Sequence, residues 1–239
     1  MAHAHVTVPP RWHTQPLEVA LMGADATPFV DEYAKYMRDV LRPTQDELRR
    51  SLDDWREPLF WAKYNTKSRM PAPSPIQRVH TRIKRPESVI DKIYRRPDSF
   101  PEGLTPPSLR SMHDALGARV VVYFLANLAM VDHEIRNHGG FEISAEVPPV
   151  AYVAAGMTLP LSGLRHEVKE SGYASVHYLL RLRDSAVPAE DRPWFELQLR
   201  TMVEDVWGEI EHVLGYKPAK RTSLAVRKQF KILSHCCPS

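Results

Sequence analysis

The run Ala118–Phe124 (ARVVVYF) constrains this chain more than any other segment. It is β-branched and apolar almost throughout, so it reads as a buried strand, and such a strand has to be covered on both faces. Helical patterns flank it. Pro86–Arg96 (PESVIDKIYRR), opened by Pro86 and followed by Pro97, lies before it, and residues 125–137 lie after it. Ser175–Arg183 (SVHYLLRLR) and Trp194–Arg200 (WFELQLR) read as further strands, and Tyr152–Ala155 as a short one. In Trp194–Arg200, Phe195, Leu197 and Leu199 alternate with Glu196, Gln198 and Arg200. One face is therefore apolar and the other carries an acid, an amide and a base. Thr201 then caps a helix running to about Tyr216, with Val203, Val206, Ile210 and Leu214 expected on its buried face. Alternating helices and strands predict an α/β fold, a mixed β-sheet of about five strands flanked by helices.

The first quarter of the chain is different. Residues 1–16 form an irregular lead-in with Pro9, Pro10 and Pro16. From about 26 to 63 the pattern is helical. Thr27 is placed to cap and Pro28 to start a helix in which Val30, Tyr33, Met37 and Val40 recur at helical spacing. Thr44, with Glu47 three residues on, has the form of a capping box opening a second helix. These features predict a helical N-terminal lobe over residues 1–65. Thr66–Arg78 holds three prolines and reads as a linker, and Asp98–Pro107 and residues 163–172 read as loops.

Composition narrows the function. The chain has 239 residues, 43% hydrophobic and 26% charged, as in ordinary globular proteins. No apolar run approaches the ~20 residues that span a bilayer. The N-terminal MAHAHVTVPPRWH has no signal-peptide pattern, so the expected compartment is the cytoplasm, without a membrane partner. The two cysteines, Cys236 and Cys237, are adjacent near the end, which excludes a Cys-rich zinc module. From Lys217 onward the chain carries Lys217, Lys220, Arg221, Arg227, Lys228 and Lys231 and no acidic residue. Residues 219–239 thus read as a basic C-terminal helix or tail, either a solvated face or a phosphate contact.

Four clusters carry the polar chemistry. Arg82-Ile83-Lys84-Arg85 leads into Ser88, Lys92, Arg95 and Arg96, with Lys92 and Arg96 four apart on one helix face. A solvated basic helix and a triphosphate cradle share this composition. Asp114 stands at the mouth of the ARVVVYF strand, where a carboxylate suits Mg²⁺. His113 beside it suggests a His-Asp hydrolase pair, but no further His/Asp set upstream supports that. Gly172-Tyr173-Ala174-Ser175-Val176-His177 places a flat aromatic next to a freed backbone, for packing or for stacking on a base. Glu196, Gln198 and Arg200 line one strand face, as an active-site wall or as the wet side of an edge strand.

Together the segments SPIQRVHTRIKRPESVIDKI, HDALGARVV, KESGYASVHY and FELQLRTMVEDVWGEIEHVLGYKP resemble the synthetase domain of RelA/SpoT homologues, above all the stand-alone small alarmone synthetases. The resemblance spans about residues 74–218 and places a synthetase domain of nucleotidyltransferase-like fold at 66–218. It implies a pyrophosphokinase that moves the β,γ-pyrophosphate of ATP to the 3′-hydroxyl of GDP or GTP, making (p)ppGpp. By the same resemblance Arg82, Lys84, Lys92 and Arg119 would hold the ATP phosphates and Ser88 would position the donor. Asp114 and Glu196 would bind Mg²⁺, with Glu196 also taking the proton of the attacking hydroxyl. Tyr173 would stack on the acceptor base, Lys169 and His177 would meet acceptor phosphates, and Gln198 and Arg200 would support the site. Two positions depart from the family pattern: Ser171 stands where Asn is common, and Ala174 where Arg is common. A toxic branch of small synthetases is similar here. Its members modify the 3′ CCA end of tRNA or make adenosine alarmones, which a basic tail and a cognate antitoxin would suit. An inactive nucleotide- or RNA-binding module is the third expectation. The family's hydrolase domain is not expected in this chain, and its tetramer-forming C-terminal helices look short or missing.

Overall fold

The computed structural model describes residues 26–64, 73–159, 161–170 and 172–215, with side chains of α6 described up to Glu209. A seven-stranded mixed sheet organises them, in the order β1-β2-β7-β6-β4-β5, with β3 pairing β6 beyond the end of β4. The strands are β1 (Ile76–Ile83), β2 (Leu116–Val122), β3 (Phe141–Ile143), β4 (Val150–Ala154), β5 (Arg165–Lys169), β6 (Ser175–Leu182) and β7 (Phe195–Thr201). The helices are α1 (Thr27–Tyr36), α2 (Arg42–Asp54), α3 (Pro86–Arg95), α4 (Pro106–Arg110), α5 (Leu125–Asn137) and α6 (Met202–Gly215). β2 runs parallel to β7, and β1 and β6 run antiparallel to their neighbours in the centre. Among the described residues no helix is long and apolar enough to cross a membrane.

The expected α/β sheet is present, with strands that the sequence reading missed. β1 overlaps the last three residues of the expected linker and continues to Ile83. It is an edge strand with Pro75 just before it, a place where proline costs no ladder bond. β5 lies inside the expected 163–172 loop. It is the opposite edge and almost wholly polar, so no apolar alternation marks it. β3 is too short to carry a pattern.

The N-terminal helices also correct two expectations. Thr27 is not a cap: Ala26 precedes the helix, and Thr27 and Pro28 lie within its first turn. No second helix opens at Thr44. The chain stays helical from Thr27 to Asp54 through a π-turn at Met37–Leu41. Pro43 has no N–H to give the turn before it, and the π-turn absorbs that gap. Thr44 Oγ1 donates back to Val40 O at 2.8 Å. Glu47 points away from the helix and accepts from Ser185 Oγ at 2.5 Å and Ala186 N at 2.9 Å.

The lobe packs directly on the sheet. Gln45 Nε2 donates to Thr81 Oγ1 of β1 at 3.3 Å, and Leu48, Leu52 and Trp55 are fully buried. Trp55 meets Phe141 of β3 edge-on at 5.8 Å, and Phe141 meets Phe195 of β7 at 6.4 Å, so one aromatic chain joins lobe to sheet. On that same apolar face α5 buries Leu128, Val131 and Ile135, and its Asp132 accepts from Tyr178 Oη of β6 at 2.5 Å. The opposite face is polar, and α6 lies over it.

Candidate active site

Strand register writes the polar face in rows. Arg82, Gly117 and Glu196 lie side by side on β1, β2 and β7. The next row is His80, Arg119, Gln198 and His177, and the one after is Arg78, Val121 and Arg200. The alternation that puts Phe195, Leu197 and Leu199 in the core therefore gathers the polar candidates onto one surface. A Cβ on Gly117 would stand in ordinary contact with its row neighbours, 3.8 Å from Glu196 O and 3.9 Å from Arg82 Cγ.

At one end of this face sits a carboxylate between two lysines. Lys84 occupies the connection from β1 to α3, and its Nζ donates to Asp114 Oδ2 at 2.6 Å. Lys92, on α3, brings Nζ within 2.7 Å of Asp114 Oδ1. Oδ1 is buried, with the Lys92 ammonium set against it. Burial pushes Asp114 up, but the two lysines outweigh it and hold the carboxyl below its usual range. Burial lowers Lys84, with Asp114 opposing it. Ser88, in the first turn of α3, lies one turn before Lys92 on the same helix face.

At the other end a ring of hydrogen bonds closes on Glu196. Arg200 is 3% exposed. Its Nη2 donates to Gln198 Oε1 at 2.5 Å and to Tyr173 Oη at 2.7 Å, and its Nε donates to Ser175 Oγ at 3.3 Å. Gln198 Nε2 passes the link to Glu196 Oε1 at 2.6 Å. On the other branch Tyr173 Oη is 2.9 Å from His177 Nε2, and His177 Nδ1 is 3.5 Å from Glu196 Oε1. Burial raises the Tyr173 hydroxyl above its usual range, and its Oη shares one hydrogen bond with His177 Nε2. Burial alone would raise Glu196; His177 and Gln198 more than offset it, and the carboxyl is held below its usual range. The charge of Asp114 also bears on Glu196, raising it slightly against His177 and Gln198. Arg200 stacks over the Tyr173 ring at 5.0 Å. Lys169 joins through Tyr152: its Nζ is 4.4 Å above that ring, which meets His177 edge-on at 4.7 Å.

α6 covers the basic face with acids. Thr201 caps it as expected, through a reciprocal pair in which Thr201 N donates to Glu204 Oε2 at 2.6 Å and Glu204 N to Thr201 Oγ1 at 3.3 Å. Its expected buried face fails at Val203 and Val206, which are 52% and 57% exposed while Glu204 and Asp205 are buried. The surface beneath is cationic, so the helix turns its carboxylates inward. Asp205 pairs with Arg78, with Arg119 at 2.9 Å and with Arg200 at 3.7 Å. Arg119 also reaches Glu209 Oε1 at 2.6 Å. Burial, together with Arg119, Arg82 and Arg78, lowers the pKa of His80 in their midst. Ile210, Leu214, Tyr216, Ser171, the cysteines and the basic tail lie outside what is described. Ala174 is buried at 2% and adds no cation. Asp205, Gly208 and Tyr152 went unnoticed in the sequence, since each acquires its meaning only from what it faces.

The polar face of the sheet thus joins two carboxylates to a set of lysines and arginines. Residues 81–221 match the family described as "Region found in RelA / SpoT proteins", and the chain belongs to that family. GTP pyrophosphokinase YwaC of Bacillus subtilis is 23% identical over 72% of this chain and 80% of its own length. Small alarmone synthetase 1 of Bacillus subtilis superposes with a TM-score of 0.64 at 23% identity, over 86% of this chain and 90% of that one. Its crystal structure bound to its product pppGpp gives 0.61 at 22% identity over 86% and 91%, and that bound to AMPCPP gives 0.59 at 21% over 86% and 90%. Like those neighbours, this chain has the small alarmone synthetase fold.

Proposed function

We propose that the protein transfers the β,γ-pyrophosphate of ATP to the 3′-hydroxyl of GDP or GTP, forming (p)ppGpp. The observation that carries this reading is the pair of carboxylates on one face, each with its own cation set. Asp114 lies between Lys84 and Lys92, and Glu196 faces His177 and the Arg200-anchored ring. The first set suits a donor triphosphate and the second an acceptor. The names of the relatives, and the pppGpp and AMPCPP bound to one of them, support the same division.

In this reading the acceptor 3′-oxygen attacks the β-phosphorus of ATP. The bond from that phosphorus to the α-phosphate oxygen breaks, and AMP leaves with the electron pair. The proton of the hydroxyl goes to Glu196. Lys84, Lys92, Arg82 and Arg119 bind and orient the donor phosphates, with Ser88 beside them. Arg119 would exchange its bonds with Asp205 and Glu209 for phosphate oxygens. Lys169, Tyr173 and His177 receive the acceptor, and Gln198 and Arg200 hold Glu196 in place. Mg²⁺ fits Asp114 and Glu196, two hard carboxylates each held in its charged form, and when bound it supplies charge neutralisation at the phosphate oxygens. A depressed pKa makes Glu196 a ready metal ligand and a weaker base.

One observation favours a second acceptor. Ala174 is buried beside Tyr173, so this position adds no cation to Lys169 at the acceptor end. The 3′ end of tRNA is the alternative, with an antitoxin as its companion partner. The test uses purified protein, Mg²⁺ and ATP labelled on the γ-phosphate, with GDP, GTP, deacylated tRNA or nothing added. Label on GDP or GTP supports the proposal. Label on tRNA alone makes this a translation-blocking toxin, and label in the tube with ATP alone an adenosine-alarmone synthetase. No transfer under any condition overturns the enzymatic reading in favour of a nucleotide- or RNA-binding module.

A further inference from the structure

We infer that Tyr33 is a positioning residue for the donor nucleotide: from the N-terminal lobe it holds Lys84 in the conformation that receives the ATP phosphates. The inference rests on the donor role given to Lys84 above. Tyr33 lies on α1, is fully buried, and donates its hydroxyl to the Lys84 carbonyl oxygen at 2.6 Å. Lys84 N–H donates to Ala115 O at 2.8 Å. Both backbone groups of the lysine are therefore tied at the turn where β1 hands over to α3, which fixes the direction of its Cα–Cβ bond. From there its Nζ reaches Asp114 Oδ2 at 2.6 Å, on the same segment that holds its N–H.

A phenylalanine would fill the same core space, so the hydroxyl has to be explained separately. A buried hydroxyl costs stability unless it is bonded, and here its bond goes to the main chain of a residue facing the donor. Burial, with Tyr36 and the charge of Asp114 adding to it, pushes the phenol far above its usual range, so it stays a donor at every physiological pH. Asp114 can act on Tyr33 in this way because lobe, lysine and carboxylate are neighbours. Without the hydroxyl the Lys84 carbonyl is free to turn, and the lysine loses part of its preorganisation before ATP arrives. The effect belongs to donor binding and not to the chemical step. It gives residues 27–36 a task beyond completing the core.

The test compares Tyr33→Phe with Lys84→Ala and with Tyr36→Phe, a tyrosine of the same helix with no tie to Lys84. Equilibrium binding of α,β-methylene-ATP is read first, then KM for ATP, KM for the acceptor, kcat and Tm. Losing one neutral hydrogen bond at a preorganised site corresponds to roughly a three- to tenfold weakening. Tyr33→Phe is expected to weaken the analogue and raise KM for ATP by that factor, with kcat and acceptor KM little changed and Tm lowered only by the few degrees that one lost hydrogen bond costs, while Tyr36→Phe changes neither donor constant. If Lys84→Ala weakens the analogue and Tyr33→Phe does not, the positioning role is overturned and the donor assignment stands. A uniform fall in kcat and both affinities together with Tm would make Tyr33 a structural residue, against the inference. If Lys84→Ala itself leaves analogue binding unchanged, the donor assignment fails and the inference with it.

Discussion

Gly208→Ala sets helix propensity against active-site geometry. In an isolated helix the change should stabilise by about 1 kcal/mol, since alanine loses less backbone entropy than glycine. In this protein the added Cβ would stand 2.5 Å from Arg200 Nη1, 3.5 Å from its Cζ and 3.8 Å from Tyr173 Cε2. The first distance is far inside the ~3.5 Å of ordinary contact, so the guanidinium has to move. It has nowhere cheap to go, being buried and held by Tyr173, Gln198 and Ser175. Hydrogen bonds from a charged group are worth about 1.5–3 kcal/mol each. Losing two of them while gaining the helix term leaves a net destabilisation of roughly 2–5 kcal/mol. Gln198, no longer anchored, would cease to orient Glu196, and a displacement near 1 Å at such a group lowers kcat by about 10- to 100-fold. Urea unfolding followed by circular dichroism gives the first quantity, and transfer of label from γ-labelled ATP gives the second. A variant that gains the full ~1 kcal/mol and keeps wild-type kcat would show that α6 does not press on Arg200, and the closed ring around Glu196 would have to be abandoned.

Glu196→Gln keeps the side chain's size and one acceptor oxygen, so the fold should survive while kcat falls by about 10²- to 10⁴-fold; retention of more than a tenth of wild-type transfer would remove Glu196 from the site. Asp114 and Glu196 both titrate below their ordinary range, so the stability they supply is present above the unfolded value near ~4 and is lost as pH falls through the folded values. Acid unfolding is thus expected below pH ~4, with a shallower dependence in Asp114→Asn. An unchanged slope in that variant would contradict the pairing. Burial has the opposite consequence for Lys84: its charged form costs stability below its lowered pKa, and the loss of that charge begins before the usual lysine range. The alkaline limb of activity should accordingly move upward in Lys84→Arg, and a limb that stays put in a pH–rate profile would show that Lys84 does not set it. Glu47→Ala removes the acceptors of Ser185 Oγ and Ala186 N–H, so thermal denaturation should show a loss of about 1–2 kcal/mol with kcat intact; a matching fall in kcat would argue against a purely structural tie.

Much of the site was legible because strand alternation does two things at once. The period that buries Phe195, Leu197 and Leu199 also projects Glu196, Gln198 and Arg200 to the other side, so recognising β7 amounts to recognising one wall of the site. β2 was legible for the same reason, as a central strand has to be apolar. The edges were not. β1 and β5 are half solvated, and their residues answer to ligand and neighbour more than to a core, so Arg78, His80 and Arg82 look like a charge run until β2 is laid beside them. Tyr152 is in the same position: its partners His177 and Lys169 come from β6 and β5.

α6 shows why the remaining error had the form it did. Amphipathic reading assumes that the surface a helix covers is apolar, and under that assumption Val203 and Val206 belong inside. The surface beneath α6 is instead the polar face of the sheet, where Arg78, Arg119 and Arg200 converge. Covering three cations with valines would strand their charges in a low dielectric, whereas Asp205 meets all three from one buried position. Over residues 202–209 the helix therefore turns its acids inward, and that could be inferred only after β1, β2 and β7 were known to present arginine on the same side. The arrangement also ties fold to function. The carboxylates that seat α6 occupy Arg119, a cation assigned to the donor phosphates, so binding of the donor and the seating of α6 draw on the same arginine. Gly208 marks the place where the helix comes closest, and its missing side chain lets an acid-faced helix approach a basic sheet without displacing the guanidinium that holds Gln198 against Glu196.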